Sequence, residues 1–340
     1  MSSVEFSSIS IHHQEKWEKA LEGFAYFASH TWHFNRAFQD PKIELIVAQS
    51  DTFAMVCPVT YRIQQWGKEV FSPLGYAGPI YKGTVQSIHE EWYSFWQHQE
   101  AVTGYIQLHP LLQQEQMHLI GKTTPEQTYP SVDSWIMNHN FIVSLDTSMK
   151  ILQSNLAKDH RYRLKKWYAD QNRISTASRE AKIDAFVQLY QDFAQRRGLS
   201  SLYSFPESTL RLICENPNME IIAAENPSGT IESVSLFPYG TNGAYYFLNG
   251  ATESGQQHAR AILWTAIAHF KEMGCNFVNL AGGIQTYDSL HSFKSRFGGT
   301  EYPTNALKQI YQPEKYISLC QQWDVLPEPT GYFPPWRKRC

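Results

Sequence analysis

Apolar residues follow two rhythms along this chain, and the places where one gives way to the other outline its elements. In the first third, residues 17–27 carry apolar positions at helical spacing, whereas 43–48 and 53–61 are apolar runs of strand length, the second interrupted by Pro58. Between the strands, Ser72-Pro73-Leu74-Gly75-Tyr76-Ala77-Gly78-Pro79 breaks any regular element with two Pro and two Gly. That segment holds Tyr76 in a turn, either as the wall of a site or as a plain crossover loop. The pattern then predicts a helix over 86–97 and a strand over 103–108 ending at His109-Pro110. A strand pair over 116–121 and 134–145 completes a first layered unit.

From residue 145 the texture changes. Asp146 or Ser148 caps a helix carrying Ile151, Leu152, Leu156 and Leu164. Helices over 183–195 and 207–214 follow, then strands over 220–224, 231–237 and 244–248 separated by Gly- and Asn-rich turns. Ala259, Ile262, Leu263, Ala266, Ile267 and Phe270 form one apolar stripe of a helix, with Ser254 placed to cap it and Gly274 to stop it. A strand over 276–280 leaves that helix and ends in Ala281-Gly282-Gly283, and no unit of 20–50 residues repeats.

Composition narrows the classes. The 340 residues are 42% hydrophobic and 18% charged, enough apolar material for two folded domains and too much for a disordered chain. With 29 Lys+Arg against 32 Asp+Glu the net charge is -3, which excludes a globally basic nucleic-acid binder while allowing a local basic patch. Such a patch exists: residues 158–166 hold five Lys/Arg and one Asp. Cysteines at 57, 214, 275, 320 and 340 form no Cys-x-x-Cys pair, so neither a disulfide framework nor a structural zinc site is expected. A cytoplasmic protein without a membrane span or export signal is the expectation. His30-x-x-His33 lacks a third ligand at motif spacing, so no metal is assigned. Serine-hydrolase elbow, Walker and Rossmann motifs are missing, and no tightly bound cofactor is expected.

The order of elements from 183 to 280 resembles that of a GNAT-type acyltransferase, and several motifs sharpen the resemblance. Leu156-Ala157-Lys158-x-His160-Arg161, Phe193-Ala194-x-Arg196-Arg197-Gly198, Asn249-Gly250-Ala251, Gly282-Gly283 and Asp288-Ser289-Leu290-x-x-Phe293-Lys294-Ser295-Arg296-Phe297-Gly298-Gly299 resemble the FemAB family. The resemblance runs through the second half, and Phe-Lys-x-x-Phe-Gly after a Gly-Gly loop is its most specific part. The resemblance implies an α/β (α+β) fold of two GNAT-like domains, each a mixed central sheet flanked by helices, with a cleft between them. The expected domains are 1–148 and 149–315, with 316–340 returning to the first. It also implies direct transfer of an acyl or aminoacyl group, from aminoacyl-tRNA or an acyl thioester (coenzyme A or carrier protein), onto an amine or hydroxyl. The acceptor would be a cell-envelope sugar or peptidoglycan precursor; tRNA is a possible partner and DNA is not.

Acyl transfer builds negative charge on the carbonyl oxygen, so the site needs a fixed donor or cation there more than a covalent nucleophile. Lys294, flanked by Phe293 and Phe297, suits that role, and the resemblance places the same Lys near the transferred carbonyl; the alternative is a solvated charge beside Arg296. Asp288 either orients Lys294 or caps the following helix. Tyr245, Tyr246 and Asn249 lie on the strand that faces the acceptor groove in related proteins, and strand alternation lets only one Tyr point there. His109 stands where Fem ligases typically carry an acid, and serves either as general base or as a structural strand end. Arg161, Arg163 and Lys165 hold phosphates of a tRNA, a nucleotide sugar or coenzyme A, or form a solvated helix face. Where a plain GNAT enzyme cradles a pyrophosphate, this chain has Asn249-Gly250-Ala251-Thr252-Glu253-Ser254-Gly255, whose Glu253 would repel it. Two rival readings keep the same chain: a thioester-dependent N-acyltransferase of polysaccharide or lipid biosynthesis, and a non-catalytic glycan or nucleotide-sugar binder.

Overall fold

A computed structural model describes residues 4–84, 87–122, 133–198, 203–283, 288–327 and 331–339. The first elements are β1 (Glu5–Ser10), α1 (Gln14–Ala20), α2 (Trp32–Arg36), β2 (Glu44–Gln49), β3 (Phe53–Gln64), β4 (Gly67–Phe71) and β5 (Ile80–Gly83). Then come α3 (His89–His98), β6 (Ala101–Gln107), α4 (Gln113–Ile120), β7 (Ser134–Ser144), α5 (Met149–Asn155), α6 (Lys158–Ala169) and β8 (Arg173–Ile174). These are followed by α7 (Arg179–Arg197), α8 (Glu207–Glu215), β9 (Met219–Glu225), β10 (Ile231–Pro238), β11 (Gly243–Tyr245) and β12 (Leu248–Ala251). The last are α9 (Ala259–Glu272), β13 (Phe277–Asn279), α10 (Ser289–Ser295), β14 (Thr300–Ile310) and α11 (Pro313–Gln322). Gln86, the expected start of the helix that forms α3, and Cys340 lie outside the described residues.

The chain divides into two compact units, one of Met1–Asn35, Asp40–Met137 and Pro303–Cys340, the other of Arg36–Gln39 and Asn138–Tyr302. The divisions at 137/138 and 302/303 differ from the expected 148 and 315, because the chain passes between units inside the strands β7 and β14 rather than through linkers. A continuous strand gives no change of composition to mark such a crossing.

In the first unit the strands run in the order β1-β2-β3-β4-β6-β14, with β5 on the edge of β3. One sheet face buries Met55, Cys57 and Ile106 against Trp92 and Trp96 of α3 and Met117 and Ile120 of α4. Residues 113–120 are thus a helix, not the expected strand. Short apolar runs fit either period, and here Gln116 decides: its Oε1 accepts the His109 backbone N–H at 2.7 Å and its Nε2 donates to the Pro79 carbonyl at 2.8 Å. The last segment belongs to this unit, where Tyr316, Leu319, Phe333 and Trp336 cover Val102. Glu69, only 2% exposed, anchors it by accepting from Trp336 Nε1 at 2.8 Å and from Arg337 Nε at 2.9 Å.

In the second unit β13 pairs antiparallel with β7 and parallel with β11, and a separate antiparallel sheet runs β12-β10-β9-β8. β9 alternates as a strand buried on both faces should. Ile222 and Ala224 meet the stripe of α9, whereas Ile221 and Ala223 meet Phe186, Tyr190, Leu210 and Ile213 of α7 and α8. The helix expected after residue 145 is broken in two at Leu156-Ala157, where the Ala157 N–H is taken by the Arg296 carbonyl; Ser148 is the cap, accepting from Ile151 N at 3.3 Å. Ser254 does not cap α9; it begins a 3-10 turn over Ser254–His258 and donates instead to Glu232 Oε1 at 3.1 Å. Buried His258 then ties three elements: its Nδ1 accepts from Trp167 Nε1 at 2.7 Å, and its Nε2 lies 3.0 Å from Glu232 Oε2.

Removing one partner of a buried charge pair strands the other. Glu69→Ala therefore lowers stability by about 3 kcal/mol and opens the segment after 331 to protease. Tryptophan-monitored urea unfolding checks this, and an unchanged midpoint would contradict the anchoring role.

Candidate functional site

The expected strand over 244–248 changes partners midway. Tyr246 N donates to Asn279 O at 2.8 Å, toward β13, and Phe247 N donates to Leu236 O at 3.0 Å, toward β10. β11 and β12 are the two pieces, and polar side chains gather around the change-over. Asn249 Nδ2 is 2.9 Å from Ser235 Oγ, 3.2 Å from Ser233 Oγ and 3.1 Å from Val234 O. Ser235 also hydrogen-bonds the Tyr246 phenol, whose pKa burial pushes up to about 12.

Onto this cluster α10 delivers Lys294. The helix starts at Asp288, whose Oδ1 accepts the His291 N–H at 2.7 Å, so the capping role proposed for Asp288 is realised. Phe293 and Phe297 meet edge to face at 5.5 Å, and the His160 ring packs on both, clamping the helix to α6. The Lys294 side chain is buried, 3% exposed, with Nζ donating to the Gly282 carbonyl at 2.7 Å and lying 5.1 Å from the centre of the Tyr246 ring. The face of the ring is a weak acceptor for a cation. Burial pulls the ammonium down to about 7, with the Asp288 carboxylate opposing the shift.

The loop bearing that carbonyl is shaped by its glycines. A Cβ on Gly282 would overlap the His139 carbonyl oxygen, and one on Gly283 would overlap the Asp288 carboxylate. Ala281 takes a positive φ of 57°, and its N–H donates to Asn279 Oδ1 at 2.8 Å. Asn138 Nδ2 holds the Gly283 carbonyl at 2.6 Å.

The structure thus brings Lys294, Asp288, Tyr246 and Asn249 together: Tyr246 turns toward Lys294, while Tyr245 is buried with its ring 5.7 Å from Phe247. Arg296 faces Asp159 of α6 at 3.5 Å. Arg163 pairs with Asp159 at 2.8 Å. Arg161 closes the end of α5 by donating to the Ser154 and Leu156 carbonyls at 2.7 and 2.5 Å. Lys165 is exposed on the same helix. The loop at 249–255 already uses donors a pyrophosphate would need: Thr252 N goes to the Glu232 carbonyl at 2.9 Å and Gly255 N to Thr252 Oγ1 at 2.8 Å.

Tyr76 and His109 lie in the first unit, packed edge to face at 5.7 Å, with His109 stacked on Phe27 at 3.7 Å. The surroundings of His109 suit the role of base poorly. Its Nδ1 accepts the Leu111 N–H at 3.2 Å, and burial, with His30 nearby, drives its pKa down to about 3, so it holds a proton poorly at neutral pH. Sequence reasoning missed Ser233, Ser235 and the Gly282 carbonyl; two serines at alternate positions of β10 were the available signal.

No protein-family model and no curated protein matches the sequence. Solved structures do. FemX is 12% identical, covering 94% of this chain and 99% of its own, with a TM-score of 0.63. The C-terminal domain of an Agrobacterium fabrum protein, provisionally named a lysylphosphatidylglycerol synthetase, is 13% identical over 91% of this chain and 95% of its own, with a TM-score of 0.59. L-PGS from Bacillus licheniformis is 15% identical over 87% and 91%, with a TM-score of 0.55. At such identities the likeness is one of fold, and it agrees with the motifs around Lys294: this chain has the FemAB-like fold of GNAT type.

Proposed function

We propose that the protein is an acyltransferase that moves an acyl or aminoacyl group directly onto an amine or hydroxyl, with Lys294 as the group that meets the carbonyl oxygen. The buried ammonium, held on the Gly282 carbonyl without an ion pair among the described residues, carries the reading. A cation fixed in a dry site stabilises developing negative charge far more than one in water. The acceptor nitrogen or oxygen forms a bond to the carbonyl carbon, and the bond from that carbon to the donor oxygen or sulfur breaks. The acceptor's proton ends on the departing hydroxyl or thiol, so no covalent enzyme intermediate and no His109 base are required. Asn249, Ser235 and Tyr246 supply polar groups beside the reacting centre.

The FemAB resemblance of the motifs around Lys294 and the neighbour provisionally named a lysylphosphatidylglycerol synthetase support an aminoacyl donor and a cell-envelope acceptor. The occupied N–H groups at 249–255 and the Glu253 beside them weigh against coenzyme A in the second unit. Sugar or peptidoglycan precursors remain the proposed acceptors.

Incubating the protein with aminoacyl-tRNA or acyl-thioester donors and envelope precursors, with product read by mass spectrometry, tests the reading. Lys294→Ala is expected to lower kcat by ~10²-fold, the scale of a lost oxyanion donor, with the fold retained. Binding of precursor without product from any donor would make the protein a binder instead, and unimpaired turnover by the variant would remove Lys294 from the chemistry.

The depressed ammonium also predicts a pH signature. The native lysine sheds its proton near pH 7, whereas the unfolded chain keeps it to about 10.5. Between those values the unfolded state binds more protons, so stability rises with pH across that window. Lys294→Met is expected to flatten the rise and to be most stabilising, relative to wild type, below pH 7. Parallel stability curves for the two proteins from pH 6 to 10 would show that the amine is not buried as described.

A further inference from the structure

Positive charge in the second unit concentrates where three helices meet. Arg163 of α6 places Nε 2.8 Å from Asp159 Oδ1, and Arg296, at the C-terminal end of α10, places Nη1 3.5 Å from Asp159 Oδ2. Arg260, in the first turn of α9, sets its guanidinium 5.5 Å from the centre of the Phe293 ring on α10. Among the described residues its Nε, sealed from solvent, has no acceptor, and no carboxylate comes within ion-pair distance of the group. Burial, Arg163 and Arg296 all disfavour its charge, and only Asp159 offsets them. His160, the other titratable neighbour, is pulled down to about 4 by burial and then by Arg260, so it is neutral at pH 7 and adds nothing to the balance.

Two guanidinium groups therefore pair with one carboxylate while a third, Arg260, feels it from beyond ion-pair distance, and all three stay protonated throughout the physiological range. Three planar forks offer more N–H donors than one carboxylate accepts, and their geometry suits the oxygens of a phosphate. The site is open as well: the side chains of Arg163, Arg296 and Asp159 are all at least 40% exposed.

We propose that Arg163, Arg260 and Arg296, gathered around Asp159, form a binding site for the diphosphate or terminal phosphate of a small molecule, with Asp159 as the internal counter-ion that this ligand displaces. The loop at 249–255, whose Glu253 and engaged N–H groups suit an anion poorly, contributes none of these arginines. Phe293 and Lys294 are consecutive in α10, so the phosphate would lie along the helix that carries the buried ammonium. The inference rests on the charge cluster alone and stands apart from the acyl-transfer reading.

Calorimetric titration of the full chain with inorganic pyrophosphate, against sodium chloride of matched ionic strength, tests it. Saturable binding is expected, weakened about tenfold or more by Arg260→Gln and by Arg296→Gln, the scale of a lost charge-assisted contact. Asp159→Asn should tighten binding, because the competing carboxylate is gone. Uridine diphosphate and a single-stranded RNA of about 12 nucleotides form the second arm. No pyrophosphate binding, or binding indifferent to Arg260→Gln and Arg296→Gln in folded variants, overturns the proposal. Arginine-dependent RNA binding without pyrophosphate binding also overturns it, since the patch would then be a polyanion surface. Thermal melting confirms folding. Should Arg260→Gln fail to fold, Arg260→Lys keeps the charge, loses the fork, and must still weaken binding. With no acyl donor present, failure here leaves the role of Lys294 untouched.

Discussion

An ammonium group taken out of water with no ion pair among the described residues is the constraint around which the second unit is arranged. The penalty for such burial is large unless acceptors are supplied or the proton is given up, and Lys294 shows both responses. The Gly282 carbonyl and the Tyr246 ring take the charge, while the pKa falls to about 7. The loop that presents the carbonyl has to pass close to the His139 backbone and the Asp288 carboxylate, so its two glycines follow from the same demand. The helix that presents the amine is fixed by the Asp288 cap at one end and by Phe293, Phe297 and His160 along its flank.

Much of this was legible in the chain. The α9 stripe announced a helix packed on a sheet, and the Phe-Lys-x-x-Phe-Gly run after Gly-Gly placed Lys294 by resemblance, because each depends on spacing within a few residues. The Asp288 cap and the Gly274 stop were local as well. Strand parity separated Tyr245 from Tyr246, but the structure was needed to show that Tyr246 is the one beside Lys294.

What escaped the sequence depends on contacts far apart along the chain. Residues 113–120 became a helix through Gln116, whose partners include Pro79. The unit boundaries lie within strands and leave no compositional trace. His109 reads as a base until its ring is found stacked on Phe27 and buried, and Arg260 sits unremarked on a helix whose apolar stripe draws the eye. In each case burial, which one-dimensional spacing does not report, decides the chemistry.

The two cationic centres of the second unit also differ in their access to solvent ions. Mobile ions approach exposed guanidinium groups freely, and at physiological ionic strength their field fades within roughly 8 Å. Lys294 is shielded by protein on nearly every side, so added salt reaches its field far less. Ionic strength therefore acts as a selective dial on this molecule, dimming attraction at the helix junction while leaving the interior charge almost as strong as before.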